Sequence, residues 1–267
     1  MNINLVSLFN NDDLKSIDAM NELRRILVDR NVSVTNEYSE DSDLIICVGG
    51  DGSFLETVHK CNFPNTPIIG INTGHLGFFQ EACIDEVGDF LDEFINGFYR
   101  IQELNTLNAI VTTNDGKKYV HECLNEVVIR GRQSKTIHLD ISINGVHIEK
   151  FSGDGILCAS SAGSTAYNYS LGGALVDPRL KLLQVTPMAP MNTIAYRSFT
   201  SSIMLPPDRE FTVSPANSGD SIFVVNDGIE NVYTDVKEIS VDVSDKTIKL
   251  IRFKDYHFWS KVKSKFL

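Results

Sequence analysis

The chain has 267 residues, 42% of them hydrophobic and 22% charged, a globular composition that excludes a disordered or fibrous protein. That length holds one large domain or two of ordinary size. The net charge of −11 argues against broad nucleic-acid binding, yet leaves room for one small phosphorylated ligand held by N–H groups or a bound cation.

Ile3 to Phe9 reads as a first strand, and Leu14, Ile17, Leu23, Ile26 and Leu27 then fall near helical spacing. Leu44 to Val48 is a continuous apolar run, as expected of a strand buried on both faces. It ends in Gly49-Gly50-Asp51-Gly52, and Ser53 to Lys60 reads as a helix. Pro67 to Ile71 repeats the pattern before Asn72-Thr73-Gly74-His75-Leu76-Gly77, and Val87, Phe90, Leu91, Phe94, Ile95 and Phe98 mark another amphipathic helix. Strand–turn–helix repetition implies an α/β domain with a parallel sheet over residues 1–100. Beyond it the rhythm becomes short alternating strands. Asn114-Asp115-Gly116 and Asn144-Gly145 are hairpin signals, Pro206-Pro207 and Pro215 to Asp220 punctuate further strands, and Ile239 to Val243 and Thr247 to Phe253 close the series. A β-rich domain is expected over 101–250, followed by a C-terminal segment, 251–267, whose aromatic and basic end from His257 reads as a short helix. Five dispersed cysteines without a C-x-x-C suit buried thiols in a reducing compartment. Residues 1–9 lack a basic leader and no apolar run reaches spanning length, so a soluble, cytoplasmic protein without a membrane partner is expected.

Three clusters have the composition of a ligand site. Gly49-Gly50-Asp51-Gly52-Ser53 lies at the carboxyl end of a buried strand, where loops and helix N-termini of an open α/β sheet surround a crevice. It is neither a P-loop nor a G-x-G-x-x-G fingerprint, and a tight turn with Asp51 as helix cap explains it equally well. Asn125-Glu126 sits inside the apolar, strand-like Cys123 to Ile129, so one of the two should face a covered surface and need partners, unless Glu126 is simply solvated. Ser152-Gly153-Asp154-Gly155 and the run Gly163 to Gly173 are too small and hydroxylated to build a core; they offer donors to a polar ligand, with Tyr167 as a flat wall, or form a plain loop. Ser164 lacks the G-x-S-x-G elbow, and the six histidines lack metal-ligand spacing, His75 standing out only for following a Gly-rich turn.

Taken in order, Gly49-Gly50-Asp51-Gly52, Asn72-Thr73-Gly74-His75-Leu76-Gly77-Phe78, Leu124-Asn125-Glu126, Gly153-Asp154-Gly155 and Gly163-Ser164-Thr165-Ala166-Tyr167 resemble the NAD kinase family over most of the chain. G-G-D-G alone is shared with lipid kinases; the ordered set is specific. The resemblance implies an α/β domain and a β-sandwich-like domain with the active site between them, the final segment returning to the first. It implies Asp51 as the catalytic carboxylate beside Gly52, and Asn125 and Glu126 as holders of the adenosine. Asp154, Thr165, Ala166, Tyr167 and Ser170 would line the pocket, with Ala189 approaching the ligand from the Pro187 to Asn192 segment. The reaction implied moves the γ-phosphoryl of ATP, or of another donor, to the 2′-hydroxyl of the adenosine ribose of NAD. Mg²⁺ would be bound mainly through the donor, with no protein side chain assigned as its ligand. NAD and ATP are the small-molecule partners, and the assembly implied is a homodimer or homotetramer. The chain departs from the family pattern at Ser160-Ser161-Ala162, where a Thr-Pro-Thr-like lead is common, and at Asn226-Asp227-Gly228-Ile229, which resembles D-G-Q without the glutamine. Two rivals remain at this point. A lipid kinase of the diacylglycerol or sphingoid class would be expected to carry a basic or apolar membrane-facing patch, and a non-catalytic dinucleotide sensor would not need Asp51.

Overall fold

The computed structural model describes residues 3–74, 77–132, 135–192, 197–217, 221–254 and 256–267. His75 and Leu76 of the second Gly-rich turn, and residues 218–220 of the Pro215 to Asp220 stretch, lie outside them. The chain divides into two compact units, one of Met1–Glu103 with Thr247–Leu267, the other of Leu104–Lys246.

In the first unit, β1 (Leu5–Asn10), α1 (Leu14–Asp29), β2 (Ser33–Thr35), β3 (Leu44–Val48), α2 (Asp51–Lys60), β4 (Ile68–Asn72), β5 (Gln80–Cys83) and α3 (Val87–Ile95) follow one another. The strands lie in the parallel order β2-β1-β3-β4, with β5 alongside β4. All five residues of β3 are buried, and their alternation shows why. Leu44, Ile46 and Val48 join the core formed with α1 and α3, whereas the Cys47 thiol accepts from Thr57 of α2 on the opposite face. Helices therefore cover both sides, which explains the unbroken apolar run. The face of α1 differs from that expected. Leu23 and Leu27 are buried as expected, but Leu14 and Ile17 are 77% and 39% exposed, and Ser16, Ala19 and Met20 are buried in their place. Rotating the stripe by one position lets small Ser16 and Ala19 pack closely, with Ser16 Oγ bonding Thr73.

The strand β6 (Arg100–Thr113) leads from the first unit into the second, followed by β7 (Lys118–Cys123), β8 (Glu126–Gly131), β9 (Ile137–Ile143), β10 (Val146–Gly153) and β11 (Gly155–Ala159). After a 3-10 turn (Ala162–Thr165) and the single-turn helix α4 (Tyr167–Ser170) come β12 (Leu183–Met188), β13 (Ile203–Leu205), β14 (Phe211–Pro215), β15 (Ile222–Asn226), β16 (Ile229–Tyr233) and β17 (Val236–Arg252). The expected break between Ile239–Val243 and Thr247–Phe253 does not occur: β17 is one strand of 17 residues that carries the chain back into the first unit, where Leu250 pairs with Ile68. Two antiparallel sheets make the second unit, β10-β9-β14-β17 with β6 and β7, and β13-β12-β11-β8-β15-β16. Alternate residues of both, among them Leu139, Ile141, Val213 and Val241 from one and Val127, Ile129, Ile156, Val185 and Val224 from the other, share one core. This is sandwich packing. Helix α5 (Phe258–Phe266) ends the chain.

Candidate active site: two clusters around Asp51 and Glu126

Asp51 is the first residue of α2, directly after the parallel strand β3. Gly49 before it has φ +144° and no room for a side chain beside Ser53. The Asp51 carboxylate does not cap its own helix. It reaches across to the second Gly-rich turn, where Oδ2 accepts the N–H of Phe78 and Oδ1 that of Phe79, each at 3.0 Å. A Cβ on Gly77 would collide with both this carboxylate and the Gln80 carboxamide. Gln80 is wholly buried, and neither Oε1 nor Nε2 finds a partner among the described residues. Two strand-end turns that were separate in sequence thus form one cluster, with Gly52 exposed at its edge.

The underside of this cluster comes from the end of the chain, which sequence reasoning assigned to the first domain without a role. Arg252, 2% exposed, donates to the Phe78 carbonyl (2.9 Å), to Glu81 (2.8 Å) and to Gln102 (2.8 Å), and its guanidinium lies 3.6 Å from the Tyr256 ring centroid. Lys261 of α5 donates to the carbonyls of Gly77 and Gln80. The cue in the sequence was a lysine within an aromatic, amphipathic C-terminal segment.

In the second unit the chain bends at Leu124-Asn125 between β7 and β8, so the pair does not occupy consecutive strand positions as expected. Asp227, in the two-residue turn between β15 and β16 with φ +47°, fixes this bend. Its carboxylate accepts the N–H groups of Leu124 (2.7 Å), Asn125 (2.7 Å) and Glu126 (3.2 Å). The turn lacks the family's glutamine, and its aspartate is what organises the bend. Glu126 is partly exposed along its length, but its Oε2 is buried and, like Asn125 Oδ1, finds no partner among the described residues. Burial, reinforced by the nearby charge of Asp227, pushes the Glu126 carboxyl up to about 8. Glu126 is thus not simply solvated, because one of its oxygens is shut off from water.

The Gly163–Ser170 run packs against this bend. Ser160 Oγ donates to the Leu124 carbonyl (2.5 Å) and accepts the Gly163 N–H, and Gly163 presses so closely on Asn125 that no Cβ fits. Part of the hydroxyl-rich cluster is structural after all. Ser164 bonds both backbone groups of Val176, and buried Asn168 ties together Ser164, Ala174 and Thr186. Small polar residues do build an interior here because each finds a backbone partner. Thr165 and Ala166 are half-buried, and Tyr167 and Ser170 point outward. Asp154 and Ala189 are not in this group. Both are exposed at the opposite end of β11, where Asp154 N–H meets the Met188 carbonyl, whereas Ala159 at the near end pairs with Glu126. Five strand residues put them roughly 16 Å from Glu126. Ala189 has φ +43°, an uncommon conformation for a residue with a Cβ. No group of three His, Cys, Asp or Glu suited to a metal ion occurs among the described residues.

Comparison with known proteins finds matches over both units. The ATP-NAD kinase N-terminal domain matches residues 6–99 and the ATP-NAD kinase C-terminal domain residues 124–253. An NAD kinase of Finegoldia magna is 36% identical, covering 100% of this chain and 99% of its own, and one of Lactobacillus gasseri is 33% identical over 98% and 97%. The fold matches yeast NADH kinase complexed with NADH (TM-score 0.85, 20% identity, 98% of this chain and 87% of that one). It also matches an NAD kinase from Archaeoglobus fulgidus in complex with ATP (TM-score 0.77, 24% identity, 98% of each). The G-G-D-G and N-E motifs thus each fall inside a matched region, and neither lipid kinases nor binding-only proteins are needed to account for them: the chain belongs to the NAD kinase family.

Proposed function

We propose that this protein transfers the γ-phosphoryl group of ATP to the 2′-hydroxyl of the adenosine ribose of NAD, giving NADP. The observation that carries this reading is the Asp51 carboxylate at the carboxyl end of a parallel sheet, inside a chain whose full length aligns with NAD kinases. The phosphoryl transition state is loose, so catalysis is chiefly positioning and charge neutralisation. A carboxylate is a weak base for a ribose hydroxyl, so Asp51 orients the 2′-hydroxyl from the start and accepts its proton late. Its two oxygens each accept one N–H and keep lone pairs for that hydroxyl. Gly52 leaves open backbone beside the nucleotide.

Asn125 Oδ1 and Glu126 Oε2 are assigned to the adenosine, and Thr165, Ala166, Tyr167 and Ser170 to the wall beside it. Asp154 and Ala189, at the other end of β11, are assigned to the far end of the dinucleotide. Mg²⁺ takes oxygen ligands and keeps several positions for water and phosphate, so it would arrive on the donor's triphosphate, where it would supply positive charge. The domain division near residues 100 and 250, a homodimer or homotetramer, and a cytoplasmic location complete the proposal; five free cysteines, four of them buried, fit a reducing compartment. No described helix is long and apolar enough to cross a membrane. Incubating the purified protein with NAD, ATP and Mg²⁺ is expected to yield NADP. Transfer to a diacylglycerol or sphingoid base, or dinucleotide binding with no product, would reject the assignment. NAD lacking the adenosine 2′-hydroxyl is expected to bind, inhibit competitively and accept no phosphate; its phosphorylation would identify another acceptor.

A further inference from the structure

The turn that holds Asp51 is itself held from behind, peptide by peptide. The N–H of Phe78 donates to Asp51 Oδ2, and the carbonyl of the same peptide group, that of Gly77, accepts from Lys261 Nζ at 3.2 Å. The N–H of Phe79 donates to Asp51 Oδ1, and the carbonyl of that peptide group, belonging to Phe78, accepts from Arg252 at 2.9 Å. Each carboxylate oxygen is therefore linked to a cation through one peptide dipole. Hydrogen bonds in such a chain polarise one another, so a cation on the carbonyl strengthens the N–H on the other side. Lys261 adds a second hold at the Gln80 carbonyl. Gly77 has no space for a side chain against Asp51, so the turn presses directly on the carboxylate.

We propose that Lys261 is a positioning residue for the phosphoryl transfer, acting on Asp51 through the Gly77–Phe78 peptide group, as Arg252 acts through the Phe78–Phe79 peptide group. The proposal rests on Asp51 being the reacting carboxylate. Lys261 is the member of the pair that titrates. Burial and the neighbouring Arg252 guanidinium push its amine down to about 8, against the opposing pull of Glu81 and Asp51; Lys265 adds a smaller downward push, and the Tyr256 ring lies 5.0 Å from Nζ. A neutral amine keeps the ability to donate, but it loses the charge that makes its bonds strong.

The test compares wild type with Lys261→Met, Lys261→Arg, Asp51→Asn and the Lys261→Met/Asp51→Asn double variant. Initial rates are followed from pH 6.5 to 9.5, and competent sites are counted by NAD titration calorimetry. Lys261→Met is expected to lower kcat about tenfold per competent site with KM for NAD changed less than threefold. Lys261→Arg is expected to restore at least a third of wild-type kcat. Wild-type kcat is expected to fall several-fold as pH rises through about 8, and this alkaline limb should vanish in Lys261→Arg, whose guanidinium stays charged. The double variant is expected to be no slower than Asp51→Asn alone. A kcat for Lys261→Met within twofold of wild type would overturn the proposal, as would an alkaline limb that persists in Lys261→Arg. A loss in Lys261→Met that merely tracks the count of competent sites would reduce Lys261 to a structural role. Near-normal turnover of Asp51→Asn would instead remove the role of Asp51 itself, a result separable from the others.

Discussion

Asp51 and Glu126 are both carboxylates, and their surroundings separate them. Asp51 accepts two backbone N–H groups, which hold its carboxylate in place at the end of β3. Replacing it by Asn keeps the shape and removes the base, so turnover is expected to fall by roughly 10²–10⁴ while NAD affinity stays within several-fold; kcat and calorimetric Kd measured together check this. Glu126 has burial and the charge of Asp227 against its ionisation. Its folded value of about 8 lies above the unfolded value near 4.5, so between those pH values the folded protein keeps a proton that the unfolded chain releases. The associated stability is complete below about pH 4.5 and is lost as pH rises through about 8. Denaturant unfolding at pH 5 and pH 8 is expected to show this loss in wild type and a smaller one in Glu126→Gln. Ribose hydroxyls donating to Glu126 would favour its ionised form, so NAD binding near pH 7 is expected to release up to one proton. Binding enthalpies that do not vary with the ionisation enthalpy of the buffer would count against Glu126 as a ribose ligand.

At the scale of elements, the site is built from close approaches between turns. Gly77 meets Asp51 and Gln80, and Gly163 meets the Asn125 backbone, whereas a methyl group added to Gly74 would have nothing within 4 Å of it among the described residues. Gly163→Ala is therefore expected to destabilise by about 1–3 kcal/mol through overpacking, and Gly74→Ala to stay within about 0.5 kcal/mol. Equal midpoints in urea for the two would show that the Asn125 bend yields to make room. The turn between β15 and β16 illustrates the same dependence on a distant partner. Asp227→Asn leaves an amide where three N–H donors converge, and one of its two heads no longer accepts. NAD binding is expected to weaken by about 1–3 kcal/mol through loss of the Asn125-Glu126 geometry, with little change in KM for ATP.

Over the whole chain, the long strand β17 and helix α5 carry the last residues to the first unit. Phe78 then lies 6.0 and 5.8 Å from the rings of Phe258 and Phe266, and Val262 is buried. Removing 257–267 takes away these apolar contacts, each side chain contributing about 1.5–3 kcal/mol when fully buried. The truncated protein is expected to show a clear fall in Tm, with activity falling more than folded content. Unchanged activity per folded molecule would mean that the Asp51 turn holds its shape without α5.

Local pattern determined a good deal of this protein. The apolar runs of Leu44 to Val48 and Ile68 to Ile71, followed by glycines, specify buried parallel strands, and Asn-Gly and Asp-Gly specify hairpins, because burial and turn geometry act over a few neighbouring residues. The ordered motifs likewise specify the family. Tertiary structure decided everything that depends on which turns meet. It alone brings Phe78 and Phe79 to Asp51, Asp227 to the Asn125 bend and Lys261 to Gly77, across separations of 27 to 184 residues. It also sends Asp154 and Ala189 to the other end of β11, and makes Ser164 and Asn168 interior residues. A hydrogen bond selects its partner by position in space, and the sequence around a donor carries no record of which distant acceptor the fold will bring to it.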